Sequence, residues 1–437
     1  MERPPVIEPA ALVRLVTPAD TQDEVDESLE EMRRLAWTAG ADIRCTVVQR
    51  RERPCPATHI GPGKLEALKN ACEELGVTTI LVDSDLTPTQ GANMEDALGR
   101  KVVDRTQLIL DIFAQRARTA EGKLQVELAQ LQYLLPRLTG RGAVMRQQGG
   151  IGIRGPGEQK LEVDRRVIRD RIARLQRNLE TVRKHRQVQR KQRGAAGSAA
   201  IALVGYTNAG KSSLLNALTG AEAFVEDKLF ATLDPLTRRC RLPAGQTAFF
   251  SDTVGFVDRL PHSLVAAFRA TLEAVSEADV LLLVVDAAHE GAPDRIWTVH
   301  EVLREIEATD KPMIVVLNKA DVADPEVLED LALQQRRAGL DAVATSARTG
   351  DGLDALLRRV QDMLGQGRRR VHLRLPHAEG ALIARLHEEG GVRSIDYTDE
   401  AVLVEAEVGE ALYQAVTPYL VESETGADDA PDAGGTE

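Results

Sequence analysis

The sequence predicts a multidomain α/β protein: an N-terminal α/β domain with a helical hairpin, a central α/β domain and a small α+β C-terminal domain. Strand and helix patterns alternate over residues 1–105 and again over residues 194–368. Two long helical patterns lie between these regions, over residues 106–193. A chain of 437 residues is long enough for about two to four domains.

Residues 1–105 predict a small α/β domain. One helix is expected from Asp23 to Trp37, with Thr21 as its cap, and another from Lys64 to Leu75 with Gly76 after its end. The strands are short apolar runs: Leu12 to Val16, Cys45 to Arg50, Thr79 to Val82 and Lys101 to Val103.

Residues 106–193 predict an antiparallel hairpin of two helices, from Thr106 to Leu138 and from Leu161 to Val182. The apolar spacing favours a coiled-coil seam, although two ordinary amphipathic helices would look similar. The seam positions are Leu124, Leu128, Leu131 and Leu135 in the first helix and Leu161, Ile168, Ile172, Leu175, Leu179 and Val182 in the second.

The second helix of the hairpin is strongly basic. Between Lys160 and Arg193 there are 13 Lys or Arg and four Asp or Glu, in a protein of net charge -12. This asymmetry favours a polyanion such as RNA as a partner over simple solvation of the helix. The glycine-rich tip, Gly149 to Glu158, is interpreted as a flexible probe that approaches a crowded surface closely. The expected contact residues are Arg141, Arg146, Gly149, Gly150, Gly152, Arg154, Gly155 and Gly157.

Residues 194–368 carry four motifs in the order of a guanine-nucleotide site. Gly205 to Ser212 matches G-x-x-x-x-G-K-[ST] and stands between a strand pattern and a helix pattern, as the phosphate loop requires. Thr232, Asp252-Thr-Val-Gly255 and Asn318-Lys-Ala-Asp321 follow it. The Asp321 carboxylate can accept hydrogen bonds from two N–H groups that guanine offers and adenine lacks there. The motifs therefore predict a Ras-like P-loop domain that binds GTP or GDP.

The motifs also predict roles for individual residues. Lys211 should neutralise the β- and γ-phosphates, while Mg²⁺ should be bound by Ser212, by Thr232 and, through water, by Asp252. Gly255 should bring its backbone N–H to the γ-phosphate, so Lys211, Thr232 and Gly255 are the candidate catalytic residues. The full expected nucleotide set is Gly205, Tyr206, Thr207, Asn208, Ala209, Gly210, Lys211, Ser212, Ser213, Phe230, Ala231, Thr232, Leu233, Asp234, Asp252, Thr253, Val254, Gly255, Asn318, Lys319, Ala320, Asp321, Ser346, Ala347 and Arg348.

Two other glycine-rich segments resemble nucleotide loops. Gly61-Pro-Gly-Lys64 lacks the P-loop spacing, so a turn that caps a helix is favoured over a second nucleotide site. The hairpin tip contains G-x-G-x-x-G, but no strand precedes it, and Pro156 and Gly157 stand where a helix should begin. This context argues against a dinucleotide site.

Other features indicate a cytoplasmic, monomeric protein without stable membrane insertion. No signal-peptide pattern is present, and the apolar stretch Val280 to Val285 is too short to span a bilayer. Residues 369–421 predict a β-α-β-β-α domain, and the acidic tail 422–437 is expected to be disordered. The cysteines are scattered and are expected to be reduced: Cys45, Cys55, Cys72 and Cys240.

The glycine-rich tip, the basic helices beside it and the P-loop GYTNAGKSS resemble the HflX family of ribosome-associated GTPases. Thr58 to Lys64 and Asp104-Arg-Thr106 extend the resemblance to nearly the whole chain. The resemblance implies binding to the large ribosomal subunit near its catalytic centre, with the tip reaching inward. It also implies GTPase-coupled splitting or rescue of stalled ribosomes under stress. Two alternatives stay open: a GTPase of ribosome assembly or tRNA modification, and a binding switch in which hydrolysis matters little.

Two positions bear on hydrolysis. Phe256 stands where Ras-like enzymes place a water-orienting glutamine, so hydrolysis by the protein alone should be slow and ribosomes should stimulate it. Alternatively, Phe256 packs inward and another residue acts. Asn208 matches the asparagine with which potassium-dependent relatives hold K⁺ beside the phosphates; otherwise it only braces the loop.

Overall fold

The computed structural model contains three sheets within the part of the chain that it describes, which confirms the predicted multidomain α/β class. The described residues are 7–146, 156–194, 199–220, 230, 236–257, 273–365, 369–389, 391–408 and 410–421. None of the described helices is both long and apolar enough to cross a membrane.

The N-terminal sheet is parallel and has helices on both faces. Its elements are β1 (Glu8–Val16), α1 (Gln22–Ala39), β2 (Ala41–Arg50), α2 (Pro62–Glu74), β3 (Thr79–Val82), α3 (Pro88–Leu98), β4 (Lys101–Asp104) and α4 (Arg105–Arg116). The strand order is β2-β1-β3-β4. Neighbouring residues of β1 enter two separate apolar clusters, Leu12 on one face and Val13 on the other, as alternation along a strand requires.

The predicted strands and helices of this region are confirmed, but α3 was not predicted. Thr87 and Gln90 form a capping box at its start, and Pro88 lies in its first turn. This start signal is present in the sequence. The helix is short and weakly amphipathic, so its apolar pattern alone does not reveal it.

The single helix predicted from Thr106 to Leu138 is wrong: α4 ends at Arg116, and α5 (Ala120–Arg146) is a separate helix. Ala117 is extended, which ends the helical hydrogen bonding of α4. Thr119 then accepts a hydrogen bond from the Gly122 N–H at 2.9 Å and so caps the next helix.

The second hairpin helix, α6 (Pro156–Gly194), begins at Pro156. The expectation that no helix begins at Pro156 and Gly157 is therefore wrong, because a proline in the first turn of a helix has no N–H that needs a partner. The segment before the tip is α5 and not a strand, which still argues against a dinucleotide site. The antiparallel seam is present at Leu128, Leu175 and Leu179, which bury one another.

The central sheet places the motif loops at one edge. Its elements are β5 (Ala199–Gly205), α7 (Lys211–Thr219), β6 (Leu236–Arg241), β7 (Thr247–Asp252), α8 (Glu273–Glu277), β8 (Val280–Asp286), α9 (Ala292–Glu305), β9 (Met313–Asn318), α10 (Pro325–Arg337), β10 (Asp341–Ala344) and α11 (Leu353–Gly365). The strand order is β10-β9-β8-β5-β7-β6, with only β6 antiparallel to its neighbour. The carboxyl ends of the parallel strands therefore meet at the edge where ligands bind in such sheets.

The C-terminal region has the predicted β-α-β-β-α order. Its elements are β11 (Arg369–Leu375), α12 (Gly380–Glu389), β12 (Gly391–Tyr397), β13 (Val402–Val408) and α13 (Glu410–Val416). The strands form an antiparallel sheet in the order β11-β13-β12, and α12 and α13 cover one face of it through Leu386 and Leu412.

Candidate guanine-nucleotide site

The P-loop connects β5 to the N-terminus of α7 in a conformation that needs its glycines. Gly205 has φ 150° and lies so close to the Val284 carbonyl that a Cβ atom would overlap it. Gly210 has φ 91°, and a Cβ there would overlap the Asn318 amide. The loop thus leads into the N-terminus of a helix, whose first N–H groups have no partner within the helix and suit phosphate oxygens.

Lys211 lies inside this loop. Its Nζ donates to the carbonyl oxygens of Gly205 at 3.0 Å and Tyr206 at 2.8 Å. Burial lowers the pKa of Lys211 to about 8, although the charge of Asp252 opposes the shift. The ammonium group is therefore held at the loop that would enclose the phosphates, at a cost in solvation.

Ser212 and Asp252 lie side by side at the carboxyl end of β7. The Ser212 hydroxyl donates to Asp252 Oδ2 at 2.5 Å, and Asp252 is fully buried. A hydroxyl and a carboxylate oxygen are the kind of hard donors that Mg²⁺ prefers. Of the three residues that the sequence assigned to Mg²⁺, Ser212 and Asp252 are thus adjacent in the fold, and Thr232 lies outside the described residues.

Gly255 is packed against the P-loop. A Cβ atom at this position would lie 2.8 Å from Thr207 Cγ2 and 2.9 Å from Thr207 Cα, closer than real Cβ atoms come, and 3.0 Å from Lys211 Nζ. The neighbouring residue Phe256 donates its N–H to the Gly205 carbonyl at 3.1 Å and accepts from the Thr207 N–H at 2.7 Å. These bonds tie the segment after β7 to the phosphate loop.

The side chain of Phe256 points away from this loop. It is only 2 % exposed and belongs to the apolar cluster beneath the central sheet, with Ala202, Val204 and Val275. The structure therefore agrees with the interpretation that Phe256 packs inward. The phenyl ring fills core volume and is remote from water.

Asn318 connects the P-loop with the two loops on the base side. Its Nδ2 donates to the Ala209 carbonyl at 2.9 Å, and its Oδ1 accepts from the Ala347 N–H at 3.1 Å. The P-loop and the loop that contains Ala347 are thus both held by the buried amide of Asn318. Lys319 has φ 64°, and its ammonium group pairs with Asp286 at 2.5 Å.

The carboxylate of Asp321 is bound at both oxygens. Ser346 Oγ donates to Oδ1 at 2.7 Å, and the Arg348 guanidinium contacts Oδ2 at 2.5 Å. The Ser346 hydrogen bond and, to a smaller extent, the backbone N–H of Asp321 and Arg348 lower the pKa of Asp321 below its usual range. The carboxylate is therefore an acceptor at neutral pH.

Some expected site residues lie elsewhere. Phe230 packs edge-on against Phe113 of α4, with ring centroids 4.6 Å apart, in an apolar cluster that also contains Val254 and Val257. Arg141, Arg146 and Gly157 lie in helices α5 and α6, where only the backbone is described. The following residues lie outside the described part of the chain: Gly149, Gly150, Gly152, Arg154, Gly155, Ala231, Thr232, Leu233 and Asp234.

The sequence did not predict that the N-terminal domain reaches the P-loop. The Tyr206 hydroxyl donates to the Glu31 carboxylate of α1, and the Arg295 guanidinium lies 4.6 Å from the centre of the Tyr206 ring. Arg295 also pairs with Glu27 at 2.9 Å. These residues line an acidic cleft of about 600 Å³ between α1 and the P-loop. No local pattern reveals such contacts, because their partners are far apart in the chain.

Asp286, which pairs with Lys319 and lines the same cleft, is a second residue near the site that the sequence did not predict. It follows the apolar run of β8 directly, just as Asp252 and Asn318 follow theirs. The position at the end of a buried strand was the available signal.

Comparisons with known proteins agree with the geometry. Family models match residues 26–114 (GTP-binding GTPase N-terminal), 116–193 (GTP-binding GTPase Middle Region) and 200–319 (50S ribosome-binding GTPase). The protein named GTPase HflX from Lacrimispora saccharolytica is 45 % identical over 406 residues, covering 92 % of this chain and 95 % of that protein. The chain belongs to the HflX family of GTPases.

Membership of the HflX family makes the chain an enzyme that hydrolyses GTP to GDP and phosphate. A second HflX GTPase, from Caldanaerobacter subterraneus subsp. tengcongensis, is 46 % identical over 415 residues, 95 % of this chain and 94 % of that protein. A solved structure described as the crystal structure of SsGBP and GDP complex aligns with 82 % of this chain and 99 % of its own, at 26 % identity and a TM-score of 0.48.

Proposed function

We propose that this HflX-family GTPase acts on the large ribosomal subunit in the cytoplasm and splits or rescues stalled ribosomes under stress. The family model over residues 200–319 is described as a 50S ribosome-binding GTPase. The main structural support for a guanine-nucleotide site is the Asn318 amide, which joins the P-loop to the base-side loops. We propose the domain boundaries 1–105, 106–193, 194–368, 369–421 and the tail 422–437, with the difference that α4, which packs on the N-terminal sheet, belongs to the first domain.

The proposed nucleotide site uses the motif residues as their chemistry suggests. Backbone N–H groups of the P-loop, other than those of Thr207 and Ala209, which donate to backbone carbonyls, surround the phosphates with Lys211, and Asp321 reads the guanine. Ser212 and Asp252 fit a magnesium ion because they present adjacent oxygen donors, and Thr232 supplies a second hydroxyl. Bound Mg²⁺ offsets negative charge on the phosphate oxygens.

We propose that the protein alone hydrolyses GTP slowly, because Phe256 cannot orient water. Its ring is buried in the core, so this position provides no polar group to orient the attacking water. We propose that the ribosome supplies or orders the missing group, which involves the segments around Thr232 and Gly255.

Ribosome binding is assigned to the basic face of α6 and to the glycine-rich tip. Arg174 and Arg177 are exposed on this helix, away from the seam with α5. Exposed arginines on a rigid helix suit contacts with RNA phosphates, which position a protein without reading sequence. Arg171 is less available, because it pairs with Glu127 of α5 at 2.7 Å.

The test is GTP turnover and ribosome splitting by the purified full chain. Large subunits should raise the turnover rate strongly, and GTP with whole ribosomes should yield separated subunits in a sedimentation assay. Lys211→Ala should lose both activities. Fast turnover that ribosomes do not change would contradict the proposal, and stimulation by immature subunits or tRNA alone would favour the assembly or tRNA alternatives.

A further inference from the structure

The base-reading carboxylate has two partners of very different character. Ser346 is fully buried, and its hydroxyl also accepts the Thr349 N–H at 3.1 Å, so it is built into the loop. Arg348 has a side chain that is 72 % exposed and reaches back to Asp321 Oδ2 at 2.5 Å. Of these two contacts, only the arginine can leave without rearranging the loop.

Arg348 presents Asp321 with the same chemical group as the base. The edge of guanine that a carboxylate binds is a ring N–H next to an amino group on one carbon, which is a guanidine fragment. The arginine guanidinium offers N–H donors in the same planar arrangement, suited to a carboxylate. One carboxylate cannot hold both partners in this way at once.

We propose that Arg348 is a built-in competitor of guanine: without nucleotide its guanidinium occupies the Asp321 carboxylate, and guanine must displace it to bind. The inference rests on the guanine site of the proposed function and adds a residue that sets nucleotide affinity. The ion pair with Arg348 stabilises the nucleotide-free state of the site. Arg348 therefore weakens the binding of GTP and GDP alike and favours their exchange.

The size of the effect is bounded by the exposure of the pair. An ion pair at the protein surface contributes little, so removing Arg348 should tighten guanine-nucleotide binding by about two- to fivefold. Tighter binding by the variant would distinguish competition from a general charge effect, because removing a positive charge near a polyphosphate should by itself weaken binding. The difference between the wild type and the variant should also shrink at high salt, which screens exposed pairs.

The experiment measures the Kd of a fluorescent GDP, labelled on the ribose, for the full chain and for Arg348→Gln at low and high salt. The variant should bind more tightly at low salt, and Arg348→Lys should lie between the two because it keeps the charge and loses the planar fork. Arg358→Gln, an exposed arginine on α11, removes the same charge and should not tighten binding.

A double-variant cycle assigns the effect to the carboxylate. In an Asp321→Asn background, measured with a xanthine nucleotide, Arg348→Gln should leave the Kd unchanged because the competing pair is already lost. Weaker or unchanged GDP binding by Arg348→Gln alone would overturn the proposal. Absence of GDP binding by the wild type, or unchanged GDP affinity in Asp321→Asn, would instead contradict the underlying guanine site.

Discussion

The hydroxyl of Tyr206, in the P-loop, donates a hydrogen bond to the carboxylate of Glu31 on helix α1 of the N-terminal domain. Glu31 also pairs with Arg105, which in turn contacts Asp83 at 2.8 Å. The backbone carbonyl of Tyr206 accepts from Lys211 at 2.8 Å. One residue therefore joins the charged core of the N-terminal sheet to the lysine of the phosphate site.

The first prediction concerns this contact. Tyr206→Phe should lower the free energy of unfolding by about 1.5–3 kcal/mol, because it removes a hydrogen bond to a buried charged group. Glu31→Gln should cost more, since it also leaves the buried Arg105 with less compensating charge. Urea unfolding followed by fluorescence measures both, with Tyr397→Phe, at an exposed tyrosine of the C-terminal domain, as the control. Equal stability of Tyr206→Phe and the wild type would show that the contact contributes nothing.

The second prediction follows from the low pKa of Lys211. The folded, nucleotide-free state holds this proton less tightly than the unfolded state, since burial lowers the pKa to about 8. Below that pH both states are protonated, and as pH rises above it the group contributes increasing stability until the unfolded lysine also titrates. Phosphates favour the ammonium form, so GTP binding above pH 8 should take up a proton and weaken as pH rises.

Calorimetry in buffers of different ionisation enthalpy measures this uptake. At pH 8.5 we expect a fraction of a proton per GTP, and at pH 7 none from this lysine, because it is already charged there. Lys211→Arg stays charged and should show no uptake at either pH, where it still binds. Equal uptake by the wild type and this variant would assign the proton to another group.

The sequence placed Asp252 and Asn318 at the ends of buried strands, and the structure has them there. Asp252 and Asn318 are the last residues of β7 and β9, and the parallel strands of one sheet bring such positions to the same edge. Alternation and caps similarly predicted most of the N-terminal sheet. These signals are local, and the fold preserves them.

Contacts between distant segments were not predictable in this way. The packing of Phe113 on Phe230 joins α4 to a residue beyond the P-loop helix, and neither residue stands in a pattern that names its partner. The break between α4 and α5 was missed for a different reason. The apolar pattern continues through it, so only the Thr119 cap marks the end of one helix and the start of another.

The third prediction concerns the choice of base. Asp321→Asn should weaken GTP binding and shift preference toward XTP, because one of the two carboxylate acceptors becomes a donor that suits the extra carbonyl of xanthine. By analogy with base-edge contacts in nucleic acids, the discrimination should change by about 1–3 kcal/mol. Competition between GTP and XTP for the fluorescent nucleotide measures it, and an unchanged preference would mean that another residue reads the base.

The fourth prediction concerns the basic face of α6. Arg174→Gln with Arg177→Gln should leave GDP affinity intact, weaken binding to large subunits and lower the log–log salt slope by about two, roughly one for each lost phosphate contact. The matched control is Arg336→Gln with Arg337→Gln, two exposed arginines on α10 that carry the same charge change. If both double variants bind subunits with the wild-type slope, the basic face serves solubility alone.

The last prediction concerns a monovalent cation at the P-loop. Asn208 is exposed, has φ 61° and lines the cleft beside the phosphate loop, so its side chain is accessible from solvent. If its carbonyl oxygen holds K⁺ there, turnover should fall when Na⁺ replaces K⁺, because the cation stabilises the transition state. Asn208→Ala should then remove the difference between the two salts while leaving GDP affinity nearly unchanged. Turnover that is the same in both salts for the wild type would mean that Asn208 only braces the loop.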